Sequence, residues 1–138
     1  MKSVICSVLG TVGGGIAYAL GGWDASVITL LVFMAIDFIT GVVLALLFHK
    51  SPKSNNGAYD SKAGWKGLAK KGVTILFVAI AVRLDLLLGT SYIRDTVCIA
   101  FIVNELISIV ENAGLMGLPI PAVITKAIDV LQSKTEEK

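Results

Sequence analysis

One apolar run, residues 25–48, limits what this chain can fold into more than any other feature. Its 24 residues contain a single charged side chain, Asp37, at the centre. As a helix the run would rise about 36 Å, enough to cross a hydrocarbon core of about 30 Å with some tilt. The run therefore predicts a transmembrane helix with a carboxyl group near the bilayer midplane. A charge there costs roughly 2.5–3.5 kcal/mol, so a partner helix, another subunit or water must shield it.

The composition supports a membrane protein with little else attached. The 138 residues are 55% hydrophobic and 16% charged, whereas soluble domains carry about 25% charged residues. We expect one membrane domain, residues 1–138, with no separate catalytic domain. The net charge of +2 is too small to indicate nucleic-acid binding. No Cys or His cluster has metal-ligand spacing, so no metal or cofactor is expected. Cys6 and Cys98 lie in apolar runs, and buried free thiols are favoured over a disulfide.

The first apolar segment, residues 4–20, has two interpretations. The small-x-small sequence at residues 17–19 has the form of a signal-peptide cleavage site. The glycine content instead favours a retained span, because small residues let helices approach closely in lipid. The residues predicted to pack helices in this way are Gly13, Ala17 and Gly21 in the first segment and Gly41 in the second.

Two further spans are predicted at residues 72–88 and 96–112, and an amphipathic segment at residues 121–138. A polar loop, residues 49–71, joins the second and third spans. Within it we expect a short basic helix lying on the membrane surface, because its lysines recur every four residues beside a tryptophan. Its residues either bind anionic headgroups or only fix the orientation, and both roles are compatible. They are Lys62, Trp65, Lys66, Lys70 and Lys71.

The positions of the basic residues predict the orientation. Loop 49–71 holds six lysines, whereas the turn before the second span holds none and the turn before the fourth holds only Arg94. Four spans with both ends in the cytoplasm place ten of the twelve basic residues inside, as the positive-inside rule requires. The expected fold is therefore an all-α integral membrane protein of about four spans, with both termini inside.

Under this topology three charged side chains share one depth. Counting 1.5 Å per residue from the span ends places Asp37, Arg83 and Glu105 within about 5 Å of the midplane. We expect Arg83 to bridge the two carboxylates. The polar cluster either holds helices of one subunit together or lines a water-filled path between subunits, and the sequence leaves both open. Its predicted members are Asp37, Thr40, Arg83, Asn104, Glu105, Ser108 and Glu111. Asp85 lies nearer the outer rim and is expected to be solvated.

Catalytic signatures are missing from the sequence. It has no G-x-S-x-G motif and no nucleotide-binding glycine loop, and its single histidine, His49, has no nucleophile beside it. We therefore expect that this protein is not an enzyme.

Three sequence motifs follow one another along the chain. They are D-F-I-T-G at residues 37–41, S-K-x-G-x-x-G-x-x-K-K at residues 61–71, and N-E-x-x-S-I-x-E-N-x-x-x-x-G-x-P-I-P at residues 104–121. Their order resembles the phage-lysis and toxin-secretion holins, the family that includes the clostridial toxin-release holin. The matching positions are Asp37, Thr40, Gly41, Asn104, Glu105, Ser108, Glu111, Asn112, Gly117, Pro119 and Pro121.

The resemblance implies a small multi-pass protein of the bacterial cytoplasmic membrane, encoded by a phage or prophage. Such proteins self-associate and open holes that release an endolysin or a large toxin. Its partners would be copies of itself and the lipid bilayer, without direct binding of the released cargo. Two other classes remain open. One is a small ion- or proton-coupled transporter or channel subunit using Asp37 and Glu105. The other is a membrane adaptor whose basic loop docks a soluble partner.

Overall fold

The computed structural model describes residues 1–136, which form five helices. These are α1 (Lys2–Leu20), α2 (Ala25–Val43), α3 (Ser61–Leu88), α4 (Ile93–Leu115) and α5 (Ala122–Glu136), and a π-helical turn, Leu44–Phe48, continues α2. No strand occurs within residues 1–136, so the all-helical prediction is confirmed. The last two residues of the predicted amphipathic segment lie outside the described residues.

The core lies between α2, α3 and α4, and the α2–α4 pair is the most extensive contact. Buried apolar side chains line it, namely Leu20, Val27, Leu30, Met34, Val78, Cys98 and Ile102. The exterior is apolar as well: Leu47, Leu76 and Leu87 are 73, 62 and 81% exposed. Water does not favour so large an apolar surface, whereas lipid does. Within residues 1–136 both cysteines are free thiols, Cys98 buried and Cys6 exposed, so only Cys98 matches the expected buried thiol.

Two helical segments are long and apolar enough to cross a membrane by length and composition. They are Lys2–Leu20 and Ala25–Phe48, which correspond to the first two predicted spans. The spans expected at residues 72–88 and 96–112 lie within α3 and α4, which carry more charged residues. Four spans and their orientation therefore stay a prediction.

Helix α1 is the least embedded element, and Leu20 is its only buried residue. It meets the bundle through α3. A Cβ added at Gly13 would have no atom within 4 Å. Gly13 therefore does not pack closely against another helix within residues 1–136. Gly21 ends the helix in the left-handed conformation at φ 80°, and it also lies close to α3, since an added Cβ would sit 3.3 Å from Val82 Cγ2.

Helix α3 corrects the prediction of a separate basic surface helix. It starts at Ser61, after Asp60 accepts a hydrogen bond from the Lys62 amide at 3.0 Å, and continues without a break to Leu88. Its 28 residues rise about 42 Å. The basic segment is thus the first three turns of the same helix that contains the third predicted span. No Pro and no turn signal interrupts residues 61–88, so nothing in the chain breaks the helix there.

Helix α5 is amphipathic, as expected, and packs against α4. Ile128 is buried and Leu131 contacts the core, whereas the charged side chains Lys126 and Asp129 are exposed. Burial of the apolar face explains why this segment forms a helix beside α4.

Candidate functional site

Three charged side chains from three helices meet inside the bundle and are called here the ionic triad. The Lys71 ammonium of α3 lies 2.7 Å from Asp37 Oδ2 of α2 and 2.5 Å from Glu105 Oε2 of α4. The side chains of Lys71, Asp37 and Glu105 are 15, 7 and 9% exposed. With Lys71 as the bridge, each carboxylate has a counter-ion at hydrogen-bonding distance, which offsets part of the cost of burial.

An amide from α4 completes the surroundings of Asp37. Asn112 Nδ2 donates to Asp37 Oδ1 at 3.3 Å and to Thr40 Oγ1 at 3.0 Å. The Thr40 hydroxyl in turn donates to the Asp37 carbonyl oxygen at 3.1 Å. Gly41 lies beside this group, since an added Cβ would sit 3.8 Å from Asn112 Nδ2. Both Asp37 carboxylate oxygens are thereby bonded, so α2 and α4 are joined by a satisfied polar network.

The predicted bridge, Arg83, is not part of this cluster. Arg83 is exposed, and it lies twelve residues, or about 18 Å, further along α3 than Lys71. The sequence places the start of the third predicted span at Gly72, so Lys71 lies just outside it and only Arg83 remains as a basic residue within the span. The buried face of α3 contains Lys71, Val78 and Asp85 at seven-residue spacing. That spacing, continued back from Val78, was the signal that could have identified Lys71.

The other predicted site residues divide between the inside and the outside of the bundle. Glu105, Ser108 and Asn112 follow one face of α4 at helical spacing, and Ser108 is half-buried. Asn104 and Glu111 are exposed on the outside of the same helix. The polar side chains predicted on this span therefore lie on two faces of α4, one turned inward and one turned outward. Asn112 belongs to the inner face, although the sequence predicts it only as a position of the third motif and not as a member of the polar cluster.

Four of the five residues of the second motif that are predicted to bind headgroups lie on the surface. Lys62, Trp65, Lys66 and Lys70 are exposed on the first turns of α3. Lys71 is the exception, because it follows Lys70 by 100° around the helix and so turns toward the core. The five residues predicted as one headgroup-binding group are thus four exposed side chains and one member of the ionic triad.

A small cavity of about 50 Å³ reaches the ionic triad from the α2–α3 loop. Loop residues Ser51, Ser54 and Tyr59 line one side, and Asp37 and Lys71 line the other. At about 10–15 Å³ for each water, the space holds a few water molecules. The ionic triad therefore has open space on the side of the loop, lined by both apolar and polar side chains.

A second charged cluster, centred on Arg94, joins the opposite ends of the helices. Arg94 Nη2 donates to Asp24 Oδ1 at 2.9 Å and Nη1 also bonds Asp24, while Nη1 reaches Asp95 at 3.0 Å. Its Nε donates to the Leu20 carbonyl at 3.0 Å and its Nη2 to the Gly22 carbonyl at 3.3 Å. One guanidinium thus ties the end of α1 and the start of α2 to α4. The hydrogen bond from Arg94 lowers the pKa of the Asp24 carboxyl below its usual value, against the opposing effect of partial burial.

Asp85 was expected to be solvated, and this was wrong. It is buried and accepts hydrogen bonds from the Thr90 hydroxyl at 2.5 Å, the Ile93 amide at 3.0 Å and the Arg94 amide at 2.9 Å. The last two are free amides at the start of α4, which need an acceptor. Asp85 of α3 therefore caps the start of α4. The α3–α4 turn makes this possible, because it brings the end of α3 next to the first amides of α4.

No group of three or more metal-ligating side chains occurs within residues 1–136. The cation of the ionic triad is Lys71, and the triad is a buried ion-pair cluster that joins α2, α3 and α4.

An apolar exterior, a buried ionic cluster and two helices long enough to cross a bilayer define a helical membrane protein. The chain belongs to the bacteriophage holin family, whose family model matches residues 14–133. It is 33% identical to a probable holin of Bacillus phage phi105, over 79% of this chain and 76% of that protein. It is also 37% identical to an uncharacterized protein of Clostridium perfringens, over 98% of this chain and 97% of the relative. No solved structure matches the chain significantly. Family membership indicates a non-enzymatic role.

Proposed function

We propose that this protein is a holin that self-associates in the bacterial cytoplasmic membrane and opens holes that release an endolysin or a toxin. Family membership and the likeness to the phage phi105 probable holin support this. The proposal includes four spans, α1 to α4, with both termini in the cytoplasm. The loop between α2 and α3 and the first turns of α3 together carry six lysines, which the cytoplasmic side would retain.

The observation that carries the mechanism is the ionic triad inside an apolar exterior. While Lys71 lies between Asp37 and Glu105, the subunit presents apolar side chains to lipid and keeps these three buried charges paired with one another. A hole filled with water needs polar side chains at its wall. Helix α4 can supply them, because Glu105 and Asn112 lie on its inner face. We propose that opening exchanges the triad contacts for contacts with water or with other subunits.

The outer face of α4 supports contact between copies. Asn104 and Glu111 are exposed there at a spacing of two helical turns. In lipid, an exposed amide or carboxyl favours a polar partner on another helix. A second subunit would provide such partners before any hole opens.

A transporter or channel subunit is the second candidate, and the cavity next to Asp37 favours it. A cavity that reaches a buried carboxylate from one side is what a proton or ion relay would need. The two functions differ in what leaves the cell. A holin releases a folded cytoplasmic enzyme, whereas a transporter moves one small solute and leaves the cell intact.

The test is inducible expression in bacteria that also produce a cytoplasmic endolysin. We expect abrupt lysis after a delay, with the endolysin active outside the cells, and no lysis when the endolysin is produced alone. Flux of a single ion without release of protein would support the transporter, and no leakage of any kind would support an adaptor.

The Asp37→Asn variant then tests the role of the ionic triad separately. It removes one carboxylate but keeps the side-chain shape, so we expect membrane insertion to be retained and the delay before lysis to change. A variant that inserts normally and lyses on an unchanged schedule would remove the ionic triad from the mechanism and leave the holin assignment standing.

A further inference from the structure

A groove of about 470 Å³ lies where the end of α1 meets α3, well away from the ionic triad. Tyr18 and Gly22 line its α1 side, and Val82, Arg83 and Leu86 line its α3 side. The lining is apolar apart from Arg83 and the tyrosine hydroxyl. The groove shares its end of the bundle with the Arg94 cluster, because Gly22 contributes to both.

Arg83 is a cation in the middle of an apolar surface. Among residues 1–136, no carboxylate lies within ion-pairing distance of its guanidinium. Its neighbours Leu84 and Leu86 are exposed apolar side chains. An arginine in such surroundings extends its head toward the membrane surface and seeks an anion there. Arg83 is five residues from the end of α3, about 7.5 Å along the axis, which the length of its side chain can cover.

We propose that this groove binds a phospholipid, with the phosphate on Arg83 and an acyl chain along the apolar wall. A guanidinium pairs with a phosphate through two parallel hydrogen bonds. Tyr18, which is 80% exposed, belongs to the residue type that prefers the headgroup level. An anionic headgroup such as phosphatidylglycerol fits best, because the groove carries one positive charge and no negative one.

The charges at this end of the bundle favour a lipid over a second copy of the chain. A second copy would have to offer a carboxylate at the same depth. The acidic side chains that line up with this end, Asp24 and Asp95, are already bound to Arg94, and Asp85 is buried as a helix cap. The phosphate of a phospholipid, in contrast, is not already paired with another cation of this protein.

The experiment is native mass spectrometry of the purified protein in mild detergent, titrated with dioleoyl-phosphatidylglycerol. Binding of this lipid rests on the proposed insertion of the protein in the membrane, but not on the formation of holes. We expect the wild type to retain one tightly held lipid per chain. Arg83→Gln should bind it roughly tenfold more weakly or worse, as expected for the loss of a charge-assisted bond. Arg83→Lys should recover part of the binding, because it keeps the charge but not the bidentate geometry.

Lys126→Gln is the matched control, since it removes an exposed lysine of α5 that belongs neither to the groove nor to the predicted headgroup-binding residues. It should leave this lipid in place. Equal lipid retention by wild type and Arg83→Gln would overturn the proposal. Loss of dimers in Arg83→Gln with lipid binding unchanged would also overturn it and would assign Arg83 to a second copy. Failure of the protein to enter membranes at all would instead count against the proposed function.

Discussion

At the scale of single residues, Lys71 holds the site together, because two buried carboxylates share its ammonium. Removing one partner of a buried ion pair costs about 3–5 kcal/mol, since the charge left behind is unpaired. Lys71→Met leaves both Asp37 and Glu105 without a cation. We therefore expect it to lower the free energy of unfolding by about that amount, measured by thermal or denaturant unfolding in detergent.

Lys70→Met is the control for that variant. Lys70 is the adjacent residue on the same helix, but it is exposed. Its substitution should change the stability by less than about 0.5 kcal/mol, as is usual for surface positions. If both methionine variants unfold alike, the ion pairs of Lys71 do not stabilise the bundle.

The Arg94 cluster predicts a pH dependence at the residue scale. Its bond to Asp24 lowers the pKa of that carboxyl from 3.8, so the ion pair stabilises the fold above pH of about 4. The stabilisation is lost as the pH falls through the lowered pKa. Because the Asp24 side chain is half exposed, we expect solvent to reduce the effect to below about 1 kcal/mol.

Asp24→Asn isolates this ion pair, since asparagine also caps a helix start. Melting temperatures of the variant and the wild type, measured from pH 2 to pH 7, should differ at neutral pH and converge at the acid end. A difference that is constant across this range would show that the capping bond to the Val27 amide, and not the charge, is what the variant changes.

At the scale of helices, the end of α1 depends on one glycine. Gly21 has φ 80°, and an added Cβ would lie 3.3 Å from both Arg94 Nε and Val82 Cγ2. Gly21→Ala therefore adds left-handed strain, which costs roughly 1–2 kcal/mol, and presses on the Arg94 cluster. We expect a lower melting temperature and a weaker attachment of α1, read as faster proteolysis near residues 20–24.

Gly14→Ala tests whether that effect is specific to the helix end. Gly14 lies inside α1, and an added Cβ would meet no atom within 4 Å. Alanine favours a helix by about 0.8–1.0 kcal/mol over glycine, so this variant should be as stable as the wild type or more so. Destabilisation of similar size at both positions would mean that α1 needs small residues along its length, as the predicted ridge implies.

The helices also show how far sequence reasoning reaches. The single charge in the apolar run of α2 was enough to identify Asp37 as a site residue, and the depth counted along the fourth predicted span identified Glu105. Both follow from local pattern. Lys71, the partner of those carboxylates, could not be identified from a local pattern. Its position in the bundle depends on where α3 begins, and the basic residues before Gly72 suggested a separate surface helix. Asp85 and Arg94 were missed because their contacts join segments far apart in the chain or across a turn.

At the scale of the whole molecule, the two clusters lie at different levels of the bundle. The ionic triad has its cavity toward the α2–α3 loop, and the Arg94 cluster joins the turns at the other end. At the opposite end, one guanidinium therefore joins α1, α2 and α4, while the ionic triad has a small cavity beside it. This arrangement favours rearrangement of the helices near the triad before those near Arg94.

The orientation in the membrane decides which side the cavity faces. Residues 49–71 hold six lysines, whereas the α3–α4 turn and the start of α4 hold only Arg94, so the positive-inside rule predicts that the cavity faces the cytoplasm. Single cysteines at exposed positions test this, Asn55→Cys in the loop and Ser91→Cys in the turn, in a Cys6→Ser background where the remaining Cys98 is buried. Before lysis begins, a membrane-impermeant maleimide should label Ser91→Cys in intact cells and Asn55→Cys only after permeabilisation. The reverse pattern would place the cavity outside, and labelling of both positions in intact cells would show that α3 does not cross the membrane.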